Sequence, residues 1–498
     1  MERADRFALI VDAADYFSYA KDAMLKARRS ILLIGWDFDL RIDLTPADDA
    51  DKEDSQLGQF MKKLIRQRPD LEIFILKWDM AVVYTLSRQV LPLMALDIMT
   101  RGRTHLRFDS THPWTSAHHQ KIVVIDDALA FCGGIDMTTD RWDTRGHLPK
   151  DTCRRRPDSS RYGPWHDATA AVDGPAARAL GDLARQRWRF ATGERLPAVE
   201  RVEPLWPEGL RPQLRNVEVG IARTMPAYGG RPEIREVESL YLEAIRSATR
   251  SIYLESQYFA SALICDALAD RLEEANGPEI VVVNPRSTEG WLEQETMGVA
   301  RDVCLERVLR ADRHGRFRIF YPVNEAGQPI YVHAKILIVD DRLMRVGSSN
   351  INNRSMGFDS ECDLAIEAAE PDRATRDAIQ RMRNDLLAEH LDVGIEDVRG
   401  AITISGSLVN AVEALVKSHG RSLRPLPVRS VNPVEEAVVG LRIADPERPD
   451  QPESRLEHAV KRAALALPPK ALLAATVGFA SGFYMARNLR SPRQKRSR

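Results

Sequence analysis

One pattern occurs twice in this 498-residue chain and constrains its fold more than anything else in it. The order His-x-Lys, four residues, Asp, six residues, Gly stands at His119, Lys121, Asp126 and Gly133. It returns 214 residues later at His333, Lys335, Asp340 and Gly347. Two further segments repeat in the same order: residues 27–33 (ARRSILL) read like 248–254 (ATRSIYL), and 72–75 (EIFI) like 279–282 (EIVV). Matches in register at so long a period indicate one domain used twice, not a solenoid of short units.

Within each copy, apolar runs of strand length (ILLIGW, EIFILKW, HLRF; then IYLESQ, EIVVVNP, RFRIFY) alternate with amphipathic helical stretches. That alternation predicts an α/β fold. The expected boundaries are 1–215 for the first copy, 216–395 for the second and 396–498 for a C-terminal extension with a Pro-rich stretch. The Pro- and charge-rich stretch at 190–216 reads as the linker between copies. The copies differ behind the motif, where 41 residues separate Asp126 from Asp167 but 21 separate Asp340 from Glu361. The longer segment carries Arg141, Arg145, Lys150, Arg154, Arg155, Arg156 and Arg161 and reads as a basic loop near the site.

Composition narrows the class. Hydrophobic residues at 44% and charged residues at 29% exclude a disordered chain and a polytopic membrane protein. The net charge of −1 provides no chain-wide basic field, so nucleic acid is not an expected partner. The balance conceals a split: residues 487–498 hold six basic residues and no acidic one, leaving a body of about −7. Cys132, Cys153, Cys265, Cys304 and Cys362 are odd in number and form no CxxC, which fits a reducing compartment without a disulfide framework or cysteine-ligated zinc. No secretory signal is read at the N-terminus. Residues 471–486 are uncharged for 16 positions, about 24 Å of helix against a ~30 Å hydrocarbon core. The expected location is cytoplasmic, peripheral at the membrane or tethered through the C-terminus, with secretion by another route left open.

The motif carries chemistry. Residues i and i+2 of a strand share a face, so His119 points with Lys121 and His333 with Lys335. His118 and the motif aspartates fall on the other face; Asp126 and Asp340, with Gly133 and Gly347, are therefore read as structural. Two imidazoles and two ammonium groups converging on one pocket suit a phosphodiester. The lysines offset phosphate charge without a metal. One imidazole attacks phosphorus while the other protonates the leaving alcohol and then activates water. Neither a metal cluster nor a cofactor motif is visible, and none is expected.

These paired motifs resemble those of the phospholipase D superfamily. The segments 133–143 (GGIDMTTDRWD), 164–167 (PWHD), 252–259 (IYLESQYF) and 347–356 (GSSNINNRSM) are similar to the phosphatidylcholine-type phospholipases D shared by eukaryotes and some bacteria. The resemblance covers roughly residues 5–395. It implies two tandem α/β/α sandwich domains forming one pseudo-two-fold active site in a monomeric catalytic unit. It assigns His119 as nucleophile and His333 as general acid and base. It places Lys121, Lys335 and Asn350 at phosphate; Ser348 is expected with them against substrate, and Trp165, whose aromatic face can hold a choline cation, at the headgroup. Asp167 and Glu361 match acidic positions that orient the histidine of the other half, Glu361 for His119 and Asp167 for His333. The implied reaction is metal-independent hydrolysis of a glycerophospholipid at a membrane surface, giving phosphatidic acid and a free headgroup through a phosphohistidine. Transfer to a small alcohol instead of water, as in cardiolipin synthases, is the alternative, and a superfamily nuclease a weaker one. Asp136 stands where many members have Asn, and Gln120 where the subgroup often has Glu.

Overall fold

Parallel strands flanked by helices on both faces read as uninterrupted apolar runs, and here they form the outer part of each copy. The computed structural model describes residues 1–46, 55–79, 100, 102–200, 203–287, 297–431, 439, 442 and 445–448. The first copy runs β1 (Glu2–Val11), α1 (Ala13–Lys26), β2 (Ser30–Gly35), α2 (Leu57–Gln67), β3 (Glu72–Trp78), β4 (Thr104–Asp109), β5 (Ile122–Ile125), β6 (Leu129–Gly133), β7 (Trp165–His166), β8 (Ala168–Asp173) and α3 (Pro175–Thr192). The second runs β9 (Leu214–Met225), β10 (Ile234–Arg235), α4 (Glu236–Arg246), β11 (Ser251–Glu255), α5 (Ala262–Glu273), β12 (Glu279–Val283), α6 (Val299–Ala311), β13 (Phe317–Val323), β14 (Tyr331–Val332), β15 (Ile336–Val339), β16 (Leu343–Gly347), α7 (Asn353–Gly357), β17 (Glu361–Glu367) and α8 (Arg373–Leu391). Then follow α9 (Ile395–Ser405), α10 (Leu408–Leu415) and β18 (Ser422–Pro425).

The strand order shows the duplication. One sheet runs β18-β13-β12-β11-β15-β16-β17-β9-β1-β8-β6-β5-β2-β3-β4. Read outward from the centre, β1-β8-β6-β5-β2-β3-β4 and β9-β17-β16-β15-β11-β12-β13 are the same list in each copy. The centre is the antiparallel pair β1–β9, with Ala4 opposite Val217 and Phe7 opposite Leu214. The twelve-residue β9 pairs with β1 through its first half and with β17 through its second, Glu361 opposite Thr224. Neither copy keeps a free edge at the seam. A shared core follows: Leu9, Val124 and Val172 of the first copy lie in one buried cluster with Val281, Ile336 and Ile366 of the second. Residues through Arg448 form one compact unit.

Three expectations change. The chain does not leave the second copy near residue 395. α9 and α10 carry Val398, Leu408, Val409 and Val412 into the shared core, and β18 pairs with β13, so residues to 425 complete that half. The stretch 190–216 is not a simple linker, because α3 extends into it and Leu205 and Leu210 are buried in the first copy's core. Three of the seven basic side chains of the loop are neutralised by neighbouring carboxylates: Arg154 pairs with Asp143, Arg156 with Asp140, and Arg145 with Glu389 and Asp385. No helix among the described residues is long and apolar enough to cross a membrane. The apolar segment 471–486 and the basic tail lie outside the described residues.

Candidate active site

Each motif begins one step ahead of a strand, not inside it: β5 starts after Lys121 and β15 after Lys335. The extended pairing still reaches both lysines, since Gly133 N donates to Lys121 O at 3.4 Å and Gly347 N to Lys335 O at 3.3 Å. Alternation therefore holds across the motif. His118 turns away, its Nδ1 lying 2.9 Å from buried Asp109. The motif aspartates sit in the turns after β5 and β15. Asp126 accepts from the backbone N–H of Arg28, Arg29 and Ser30 at 2.6–2.8 Å. Asp340 accepts from Thr249, Arg250 and Ser251 over the same range. Each clips the strand hairpin to the start of a neighbouring parallel strand.

Histidine and carboxylate cross between copies. His119 Nδ1 lies 3.0 Å from both Glu361 oxygens, and His333 Nδ1 2.6 Å from Asp167 Oδ2. The crossing is built by backbone bonds over the cleft: His119 N donates to Ser360 O at 3.0 Å and His333 N to His166 O at 2.7 Å. With Nδ1 engaged, Nε2 is the nitrogen each ring offers to a substrate. Lys335 Nζ is 2.9 Å from His333 Nδ1, and Lys121 Nζ 3.2 Å from Asp136 Oδ2. Asp136 is thus a partner of a lysine. Ser348 Oγ and Ser355 Oγ both donate to Glu361. Asn350 is buried, and its Oδ1 meets no donor. Gln120 donates to Glu361 O at 3.1 Å, behind the pocket. Trp165 stacks on Tyr331 at 4.6 Å, tilts over His333 at 5.2 Å and carries the Arg141 guanidinium at 4.4 Å. Trp142 is buried in the first copy's core and Trp114 is exposed. Ser355 and Tyr331 went unread in the sequence, and Arg141 was read only as part of a basic loop near the site; Ser355 stands six residues before Glu361 in a motif whose Ser and Asn are numerous.

Burial and like charge hold both imidazoles neutral. His119 is pushed well below its ordinary value by burial, then by Lys121 and Lys335. His333 is pushed down by burial, then by Lys335 and Arg141. Burial lowers Lys335 to about 7 and raises Asp167 to about 6; Glu361 also rises through burial. Near neutral pH, the Asp167–His333 pair is a carboxylate accepting Nδ1–H from a neutral ring.

Fold and site together define a class: a duplicated α/β protein in which two His–Lys sets, each completed by the other copy's carboxylate, share one cleft. Family models cover both copies, "Phospholipase D" at residues 23–205 and "Cardiolipin synthase, PLD-like domain" at 241–386. The chain belongs to the phospholipase D superfamily. It is 26% identical to Phospholipase D A of Dictyostelium discoideum, over 72% of this chain and 32% of that protein. It is 23% identical to Cardiolipin synthase A of Pseudomonas putida (strain GB-1), over 70% of this chain and 64% of that protein. The chain thus spans about a third of the first relative's length and under two thirds of the second's. Phosphatidylserine synthase from Haemophilus influenzae Rd KW20 shares the fold, with a TM-score of 0.53 and 11% identity over 78% of this chain and 88% of that one.

Proposed function

We propose that the chain is a phospholipase D that hydrolyses glycerophospholipids at a membrane surface to phosphatidic acid and a free headgroup. The observation that carries this reading is the crossed arrangement: two neutral imidazoles, His333 buried and His119 half-buried, each held through Nδ1 by the other copy's carboxylate, beside two lysines. Lys121, Lys335 and Asn350 bind the phosphodiester. Its negative charge favours protonation of His333 as it enters. His119 Nε2 attacks phosphorus, the bond to the headgroup oxygen breaks, and His333 Nε2 gives that oxygen its proton. His333 then takes a proton from water, the new P–O bond forms and the P–N bond breaks, releasing phosphatidic acid. Lys121, Lys335 and the protonated His333 supply the positive charge at phosphorus, so the step needs no metal there.

An alcohol in place of water would make the same intermediate a phosphatidyl donor, a reading favoured by the cardiolipin-synthase match over the second copy. The test is incubation with mixed phospholipids with and without ethanol, products identified by mass. Phosphatidic acid in water and phosphatidylethanol in ethanol are expected. His119→Ala and His333→Ala should each abolish both products while keeping the wild-type circular dichroism spectrum. Full activity in either folded variant overturns the mechanism.

A further inference from the structure

Behind the catalytic pocket lies a second cluster of titratable side chains that the proposed reaction does not use. Asp12 ends the strand β1, His147 comes from the long loop, His166 from β7 and Glu389 from α8; all four are buried. Their inward atoms converge. Glu389 Oε1 is 2.9 Å from His166 Nδ1 and 3.3 Å from His147 Nε2. Asp12 Oδ1 is 3.3 Å from His166 Nδ1, and Asp12 Oδ2 is 3.5 Å from His147 Nε2. Ligand atoms about 2.0–2.1 Å from a tetrahedral zinc ion are separated by about 3.3 Å; Glu389 Oε1 meets both ring nitrogens near that spacing, and Asp12 meets one ring with each of its oxygens.

The outward atoms are also arranged for a metal. Asp143 Oδ2 holds His147 Nδ1 at 3.0 Å, and Glu255 Oε2 holds His166 Nε2 at 2.8 Å. A carboxylate on the far nitrogen keeps the proton there and leaves the inner nitrogen as a lone pair, the second-shell pattern of zinc-bound imidazole. Asp12 Oδ2 is buried and accepts no hydrogen bond, although it points into the cluster.

We propose that Asp12, His147, His166 and Glu389 form a structural site for a divalent cation of the zinc type. The ion joins β1, the long loop, β7 and α8, four segments that are remote in sequence. It sits behind the reacting groups, because Asp167 N donates to Asp12 Oδ1 and Asp12 N to Asp167 O at 2.8 Å. It is a positioning device for Asp167 and so for His333, not a participant at phosphorus.

The test uses the full chain. After extensive desalting, elemental analysis is expected to find about one zinc per chain. Chelator-stripped protein titrated with cobalt(II) should develop the intense visible bands of a tetrahedral ion. Added zinc should raise the melting temperature of the stripped protein by about 5 °C. His147→Gln should lose the cobalt bands; Cys153→Ser, on the same loop outside the cluster, should keep them. Wild-type protein without metal whose melting temperature ignores zinc overturns the proposal, as does unchanged cobalt stoichiometry in folded His147→Gln.

Discussion

At the scale of single residues, the site divides into groups that carry charge and groups that aim rings. Glu361 aims: it holds His119 Nδ1 and is itself held by Ser348 and Ser355. Glu361→Gln keeps the shape and removes the charge that supports the developing cation on His119, so kcat should fall by ~10²–10⁴. Sulfate affinity, measured by calorimetry, should stay within about threefold, because the lysines are untouched. Equal losses in both would make Glu361 part of the anion site. Lys335 carries charge. Burial brings it to about 7, with Asp167 and Glu361 opposing and Lys121 and Arg141 adding. An anion between the lysines favours the protonated form, so above that pH binding must draw in a proton. Sulfate should bind more weakly as the pH rises from 6 to 9, approaching tenfold per unit above about 7. Buffers of different ionisation heat would report the proton uptake; a flat affinity over that range refutes the assignment. The histidines and lysines could be read from the sequence because their spacing repeats, and the two carboxylates, at unequal spacings behind the motifs, only through the family resemblance. Tyr331, and the seat of Arg141 on Trp165, could not, because only folding brings these residues together.

At the scale of elements, the motif is a strand hairpin pressed against its neighbour. A methyl group at Gly347 would stand 2.5 Å from Asp363 Cα on β17, and Gly133 meets Thr169 on β8 in the same way. The obstacle is backbone on a central strand, which cannot yield. Gly347→Ala should cost more than ~3 kcal/mol or prevent folding. Gly400→Ala, mid-helix in α9 with open space around it, should gain ~0.5–1 kcal/mol. Denaturant midpoints compare the two, and a wild-type midpoint for Gly347→Ala would show that β16 and β17 can separate. The same scale shows where sequence reading succeeded and stopped. β2, β3, β11 and β12 are apolar runs buried on both faces, so period and length were enough. The long loop has no period; it read as basic because the partners Asp143, Asp140 and Glu389 stand 11, 16 and 244 residues from the Arg154, Arg156 and Arg145 they neutralise. His147 and His166 were unreadable as a cluster for the same reason.

At the scale of the whole molecule, two copies yield one site. The repeat announced the copies, but not that β1 and β9 would fuse them edge to edge, since pairing partners leave no shared pattern in sequence. That fusion is what sends Glu361 to His119 and Asp167 to His333. A copy that closed its site with its own carboxylate would hold a complete set of His, Lys and acid, and the chain would carry two reaction centres. Crossed pairs leave only one cleft, in which the two histidines take unequal parts. The prediction is a number. Acid quenching during turnover of a slow phospholipid, followed by intact mass and peptide mapping, should find at most one phosphatidyl adduct per chain, on His119. Two adducts per chain would mean that the copies work independently, and an adduct on His333 would reverse the roles while leaving the single cleft in place.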